Sequence, residues 1–444
     1  MGAALYNGYP LVYSDTGTYL HSGFTLEVPR DRPIFYGLFM RLTSLGFSLW
    51  LVALAQCLLL SSMLARFISL QVKAVDQRGM FLLGTVFLAL TSSLSWYTGQ
   101  LMADIFAPVV ILSAYFFFIK SDRISRRERL IWLLVGGLAM MMHLSHVAIG
   151  FSLGLVGLLY WGIKGRKMPD WQYLGKRLGL WMATWLVALL MVPSTHALMG
   201  DEFRFSKASH VFFMGRMLDS GILDRYLDEY CEEKQWELCQ YKDQLPEGCM
   251  DFIWNQEKSP VYQMGGWEAT EQEFSQIINH TLRHPKYLGL HFWEGGVATF
   301  RQLLQNPVGE GLISDWYASE TCPVYLHMQK FFPYEFSAYL NSRQCVGIFK
   351  EKLDFTWLNI LSNLVLSVGL LITLGFIGWK KFRLLSPSLQ FAWLVLPLGI
   401  LINAAVTGAL ANVYGRLESR VIWLFPLLVL MLAYQWYQQR KEAV

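Results

Sequence analysis

Apolar residues in this chain gather into runs of about 20, the length that carries a helix across roughly 30 Å of hydrocarbon, and polar residues crowd between them. The runs are Gly46–Ile68, Met80–Trp96, Asp104–Ile119, Leu130–His143, His146–Ile163, Leu178–Leu198, Phe355–Gly378, Leu389–Ala411 and Arg420–Trp436. This pattern predicts an all-α integral membrane protein with about nine transmembrane helices. The third to fifth runs are short or share tight turns, which brackets the count by one or two.

Charge placement adds an orientation. Alternate connections read "RFISLQVKAVDQR", "KSDRISRRER", "KGRKMPDWQYLGKR", "KKFR" and "QQRK", whereas "YTGQLMA" and "HLSH" hold no Lys or Arg. The positive-inside rule puts the basic connections in the cytoplasm. Asp15, the turn before Asp104, the His143–His146 turn, residues 199–354 and the "NVYGRLESR" turn then share the outer side. The N-terminus also falls outside with no apolar helix before it. Either a first helix is missing or a short tail of low charge crosses unaided. A hydrophobic fraction of 54%, a charged fraction of 16% and a net charge of +4 agree with a membrane protein and give no reason to expect nucleic acid.

Three regions follow: residues 1–198 and 355–444 in the membrane, and 199–354 as an external, mainly helical domain inserted before the last three spans. Within it, "MLDSGILDRYLDEYCEEKQWELCQYK" and "EATEQEFSQIINHTLRHPKYLGLHF" place apolar residues at helical spacing among acidic ones. Five of the six cysteines lie here, as expected of an oxidising periplasm or lumen. The close pair Cys231 and Cys239 is the expected disulfide, and an odd count leaves one thiol over. Zinc binding is the alternative, though the spacings match no zinc pattern.

Chemistry concentrates in a few residues. Asp15 sits in "YSDTGTYL", ahead of "RPIFYGLFMRLTSLGF", which reads as a helix lying in the membrane interface. Ser-Asp-Thr-Gly is also ordinary turn or capping chemistry. Asp104, in "WYTGQLMADIF", occupies the outer lip of a span, where a bare carboxylate is costly and where a helix cap is its plain alternative. Together the two carboxylates can flank one polar site, one accepting a proton from a hydroxyl and the other holding a divalent metal or a donor group. His143 and His146, three residues apart, suit phosphate or metal binding on the one hand and helix capping on the other. No Gly-rich phosphate loop or HExxH occurs, which argues against ATP-driven work.

An acidic residue in the first external loop, an "RPIFY"-type interfacial helix, "WYTGQLMADIF" and "YGRLESRVIWLFPLLVLMLA" together resemble the GT-C superfamily of polytopic glycosyltransferases. Protein O-mannosyltransferases and lipid A aminoarabinose transferases belong to it. The resemblance implies a polyprenyl-phosphate-linked sugar donor, a lipid, glycan or protein acceptor, and inverting transfer on the periplasmic side of a bacterial inner membrane. Asp15 would be the general base and Asp104 its assistant through a metal or hydrogen bonds. Arg416 and Arg420 would hold the carrier phosphate, with Arg32, Tyr19, His143 and His146 in the same substrate-binding set. Snorkelling, or pairing with Glu418, is the alternative for the two C-terminal arginines. A single Asp stands where some members have an acidic pair. A secondary transporter would show mid-span charges and repeated halves, which are absent here; a lipid-linked-glycan handling protein or a partner-binding scaffold is the remaining rival.

Overall fold

The computed structural model describes residues 1–164, 171–347, 349, 351–378 and 381–443, and every regular element among them is helical. Helices α1 (Gly2–Asn7), α2 (Ser14–Thr25) and α3 (Phe35–Ser44) precede α4 (Leu49–Gln71), α5 (Gln77–Thr91), α6 (Leu94–Gly99) and α7 (Phe106–Phe118). Next come α8 (Arg126–Met141), α9 (Leu144–Lys164) and α10 (Trp171–Leu198). The central segment holds α11 (Ser209–Asp219), α12 (Ile222–Lys234), α13 (Cys249–Trp254), α14 (Pro260–Gln263), α15 (Trp267–Arg283), α16 (Pro285–Leu303), α17 (Pro323–Phe331) and α18 (Pro333–Leu340). Helices α19 (Thr356–Gly378), α20 (Pro387–Leu410), α21 (Gly415–Ile422) and α22 (Leu424–Ala443) close the described chain.

Among the described residues six elements are long and apolar enough to cross a membrane: α4, α9, α10, α19, α20 and the continuous α21–α22 pair. The chain is an integral membrane protein. The other three expected spans fold as shorter helices, α5, α7 and α8, of 15, 13 and 16 residues. The run Met80–Trp96 is interrupted because Ser92 bonds back to Leu88 and Ser93 starts α6, its carbonyl accepting from the Trp96 N–H at 3.0 Å.

Helix α7 is apolar all round, and all but its last residue are buried, which makes it the centre of the bundle. Its C-terminal carbonyls have no partner within the helix. Two buried arginines from α8 and α10 supply one: Arg177 donates to the carbonyls of Phe117 and Phe118 at 2.9 and 3.0 Å, and Arg129 to those of Ile119 and Ser121.

Polar groups sort by end. At one end Arg66 pairs with Glu128, Arg123 donates to the Ser69 carbonyl and Lys73 pairs with Glu442. At the other, Asp15, Asp104, Ser145, Arg416 and Arg420 come together. Helices α5, α7 and α8 therefore run between the same two ends as the long helices, and the described residues Arg66, Lys73, Arg123 and Arg129 of the basic connections lie at one of them.

The central segment divides among three clusters, the smallest holding Val308, Leu312 and Leu353 with Ala3 and Leu11. Residues from Ala208 to Tyr287 enclose a core of their own, whereas Tyr317, Cys322, Met328 and Tyr339 join the main core with Tyr9, Val12 and Tyr19. The expected Cys231–Cys239 disulfide is present, and Cys57, Cys249, Cys322 and Cys345 are free. Helix α2 is pressed against α3 so closely that a Cβ at Gly23 would lie 2.3 Å from the Gly37 carbonyl oxygen. The α3–α4 turn exposes Leu42, Leu45 and Phe47, as an interfacial helix should.

Replacing Arg177 with Met leaves the Phe117 and Phe118 carbonyls of the central helix without their charged donor. Unfolding in detergent should show a loss of about 1.5–3 kcal/mol, and an unchanged midpoint would contradict this account of the α7 terminus.

Candidate functional site

The stretch "YSDTGTYL" is not a loop. Thr16 accepts from the Tyr13 N–H at 2.9 Å, which closes the first turn of α2 and places Asp15 at the positive end of that helix. The preceding residues are stitched to the second outer turn. Leu11 accepts from the Leu101 N–H at 2.8 Å and donates to the Gly99 carbonyl at 2.9 Å, and the Thr16 hydroxyl donates to the Leu101 carbonyl. Asp15 and Asp104 are thereby carried by two segments held in fixed register.

Helix α21 faces both of them. Arg416 and Arg420 stand one turn apart and project to one side. Arg416 lies 3.2 Å from Asp15, its guanidinium 4.2 Å from the centre of the Tyr13 ring. It is also within electrostatic range of Asp104. Arg32, just before α3, takes the same Asp15 carboxylate from the other side at 2.9 and 3.1 Å and binds Asp31 as well. Burial alone would raise the Asp15 pKa, but Arg32 and Arg416 outweigh it and hold the carboxyl well below the usual carboxylate range.

Arg420 is placed differently. Its side chain is 0% exposed and donates to Asp104 at 2.8 Å, to Asn403 at 2.8 and 3.1 Å and to Ser145 at 3.1 Å. Glu418, the partner weighed for these arginines, instead accepts from Asn403 at 2.9 Å. Neither arginine snorkels. Arg420 and Asp104 form a closed, buried pair, whereas Arg416 and Asp15 each keep 18% of the side chain accessible. Only the second pair is open to a ligand.

Of the two histidines, His143 joins the cluster through Ser145, 2.9 Å from its Nδ1, the same hydroxyl that meets Arg420. His146 turns into the bundle, its Nδ1 against the Ala139 carbonyl at 3.1 Å, and links the end of α8 to the start of α9. Tyr19 is buried beneath Arg32, with the guanidinium 5.2 Å from its ring centre, and its hydroxyl has no hydrogen-bond partner among the described residues.

Several participants escape a reading of the sequence. Tyr97 donates to the Arg416 carbonyl at 2.7 Å and meets the Ser419 hydroxyl at 2.6 Å, fixing the first turn of α21. Glu310 accepts from the Arg416 N–H at 3.0 Å. With Trp96, Gln100, Pro307 and Leu312 these two line a narrow cleft beside Arg416, of about 10 Å³, room for a single water. Asn403, an amide inside the apolar run of α20, is the one residue here whose setting carried a signal.

A divalent metal does not fit this donor set. Each carboxylate is bracketed by guanidinium groups, and among the described residues no three His, Cys, Asp or Glu side chains converge as ligands. Comparison with family models, curated proteins and solved structures finds no match to this chain, so the likeness to sugar transferases rests on the residues themselves.

Removing one partner of the closed pair leaves a buried charge. Asp104→Asn should cost about 3–5 kcal/mol, and adding Arg420→Met should restore most of that loss; additive losses in the double variant would contradict the pairing. The open pair has a pH signature. A carboxyl whose folded pKa is depressed contributes stability above its unfolded value and loses it as pH falls toward the folded one. The stability difference between wild type and Asp15→Asn should therefore stay flat from about pH 8 to pH 5 and shrink only below the ordinary carboxylate value of 3.8. A difference that shrinks already near pH 6 would show that the arginines do not hold Asp15 ionised.

Proposed function

We propose that this protein is a membrane glycosyltransferase of the GT-C kind, moving a sugar from a polyprenyl-phosphate donor to a hydroxyl acceptor. The observation that supports it is the Asp15 carboxylate gripped by Arg32 and Arg416 from two separate segments, beside a cleft and partly open. The two planar guanidiniums suit a phosphate as well as a carboxylate. When a donor phosphate takes their N–H groups, Asp15 is released, its proton affinity rises, and it becomes a competent base.

Transfer then proceeds by inversion. The acceptor oxygen attacks the anomeric carbon as the bond from that carbon to the phosphate oxygen breaks. The acceptor proton passes to Asp15, and the negative charge of the departing phosphate stays on Arg32 and Arg416. Arg420 and Asp104 hold helix α21 in place rather than touch substrate. His143 lies at the edge of the site and His146 outside it.

The same reading takes α5, α7 and α8 as crossings that complete nine, with the short hydrophobic lengths met by local thinning of the bilayer. The basic end then faces the cytoplasm of a bacterial inner membrane and the site the periplasm.

Purified protein should transfer labelled sugar from a panel of polyprenyl-phosphate donors. Asp15→Asn should lower kcat by roughly 10²–10⁴-fold with little change in KM, and Arg416→Ala should raise KM for the donor. A scaffold would consume no donor, and a carrier-handling protein would bind donor with equal affinity in wild type and Asp15→Asn without turning it over.

A further inference from the structure

Helix α16 belongs by sequence to the external segment, yet one side of it is apolar along its length. Gly289, Phe292, Trp293, Gly296, Phe300 and Leu304 recur at intervals of three and four, the spacing of a single helical face. Their large side chains are bare: Phe292 is 76% exposed, Trp293 69%, Phe300 64% and Leu304 64%. Between Phe292 and Leu304 the charged residues, Glu294 and Arg301, sit off this stripe, and Lys286, paired to Glu229, lies before its N-terminal end.

The opposite side of α16 is spoken for. It packs along α20, one of the six long apolar helices, and the two backbones touch: a Cβ at Gly408 would lie 2.7 Å from the Ala298 carbonyl oxygen. One at Gly295 would lie 3.3 Å from the Ala409 Cβ. Near its end, Gln302 exchanges hydrogen bonds with the backbone of Tyr414 at 2.8 and 3.0 Å, directly before Arg416. Helix α20 turns its own Leu394, Leu401 and Leu410 outward. The bare stripe of α16 thus continues the surface by which a membrane helix meets lipid.

We propose that α16 is a membrane-interface helix whose Phe292–Leu304 stripe lies among the acyl chains of the leaflet on the site's side. This rests on the membrane character of the chain and is independent of the glycosyltransferase reading. Lipid is the occupant because the stripe offers aromatic and aliphatic surface with one polar group, the Trp293 indole N–H. A protein partner would call for a polar rim and about one hydrogen bond per 100–200 Å². Aromatic side chains at this level are those that membrane interfaces select, and a helix of this kind sinks about 5–10 Å into the boundary between headgroups and chains. The consequence is mechanical: the helix that clamps Tyr414, and through it the start of α21, is moored in the bilayer.

The full chain in nanodiscs of lipid carrying a diazirine in the acyl chain tests this. After irradiation, peptide mapping should find lipid adducts on residues 289–304 at a yield per residue matching the outward face of α20. Waterborne hydroxyl radicals should leave Trp293 unoxidised, and Trp293→Glu should lose the adducts at that site while keeping the wild-type melting temperature. Oxidation of Trp293 without lipid adducts would overturn the proposal. So would the absence of lipid adducts across residues 289–304 while the outward face of α20 is labelled.

Discussion

A guanidinium and a carboxylate buried together at the end of a helical bundle constrain everything around them. Taking either charge out of water costs several kcal/mol unless the partner and the remaining hydrogen bonds are in place. Arg420 meets that demand with Asp104, Asn403 and Ser145, which come from the turn before α7, from α20 and from the start of α9. One side chain thus ties four segments far apart in the chain. Its neighbour Arg416 repeats the device toward Asp15, where Arg32 makes a third member. The stitching of Leu11 to residues 99–101, the Thr16 cap and the Tyr97 hydroxyl all hold the carriers of these charges at the required spacing.

The two arginines of α21 are the same residue type one turn apart, and burial alone separates their roles. Arg420 spends four of its five N–H donors on Asp104, Asn403 and Ser145 and is fully buried, so its contribution is to position. Arg416 and Arg32 share one carboxylate that keeps 18% of its side chain accessible. The shared carboxylate avoids leaving two guanidiniums side by side with no counter-charge.

Much of this was legible in the sequence because a charge among apolar residues has few explanations. Asp15 and Asp104 stand out on that ground, Arg32, Arg416 and Arg420 enter only through the resemblance to GT-C enzymes, and the structure brings the five together. Their pairing is not legible: Asp104 and Arg420 are 316 residues apart, and Glu418 lies closer in the chain. Run length identified six membrane-spanning elements but not the break at Ser92 and Ser93, which is set by hydroxyl groups bonding locally. Ser-Asp-Thr-Gly reads equally as turn or helix start, and Thr16 decided for the helix. Glu310 carried no signal, since an exposed acidic residue in a polar segment is ordinary. The division of residues 199–354 among three clusters depends on contacts that periodicity along one helix does not report.

The most direct test of the central claim is a structure of the protein with a bound polyprenyl-phosphate sugar in a lipid disc. This account predicts the donor phosphate within hydrogen-bond distance of Arg32 and Arg416, the Asp15 carboxylate released toward the anomeric carbon, and the Arg420–Asp104 pair unmoved. Donor bound elsewhere, with Asp15 still held by both arginines, would contradict it and leave the outer charge cluster as a staple of the fold.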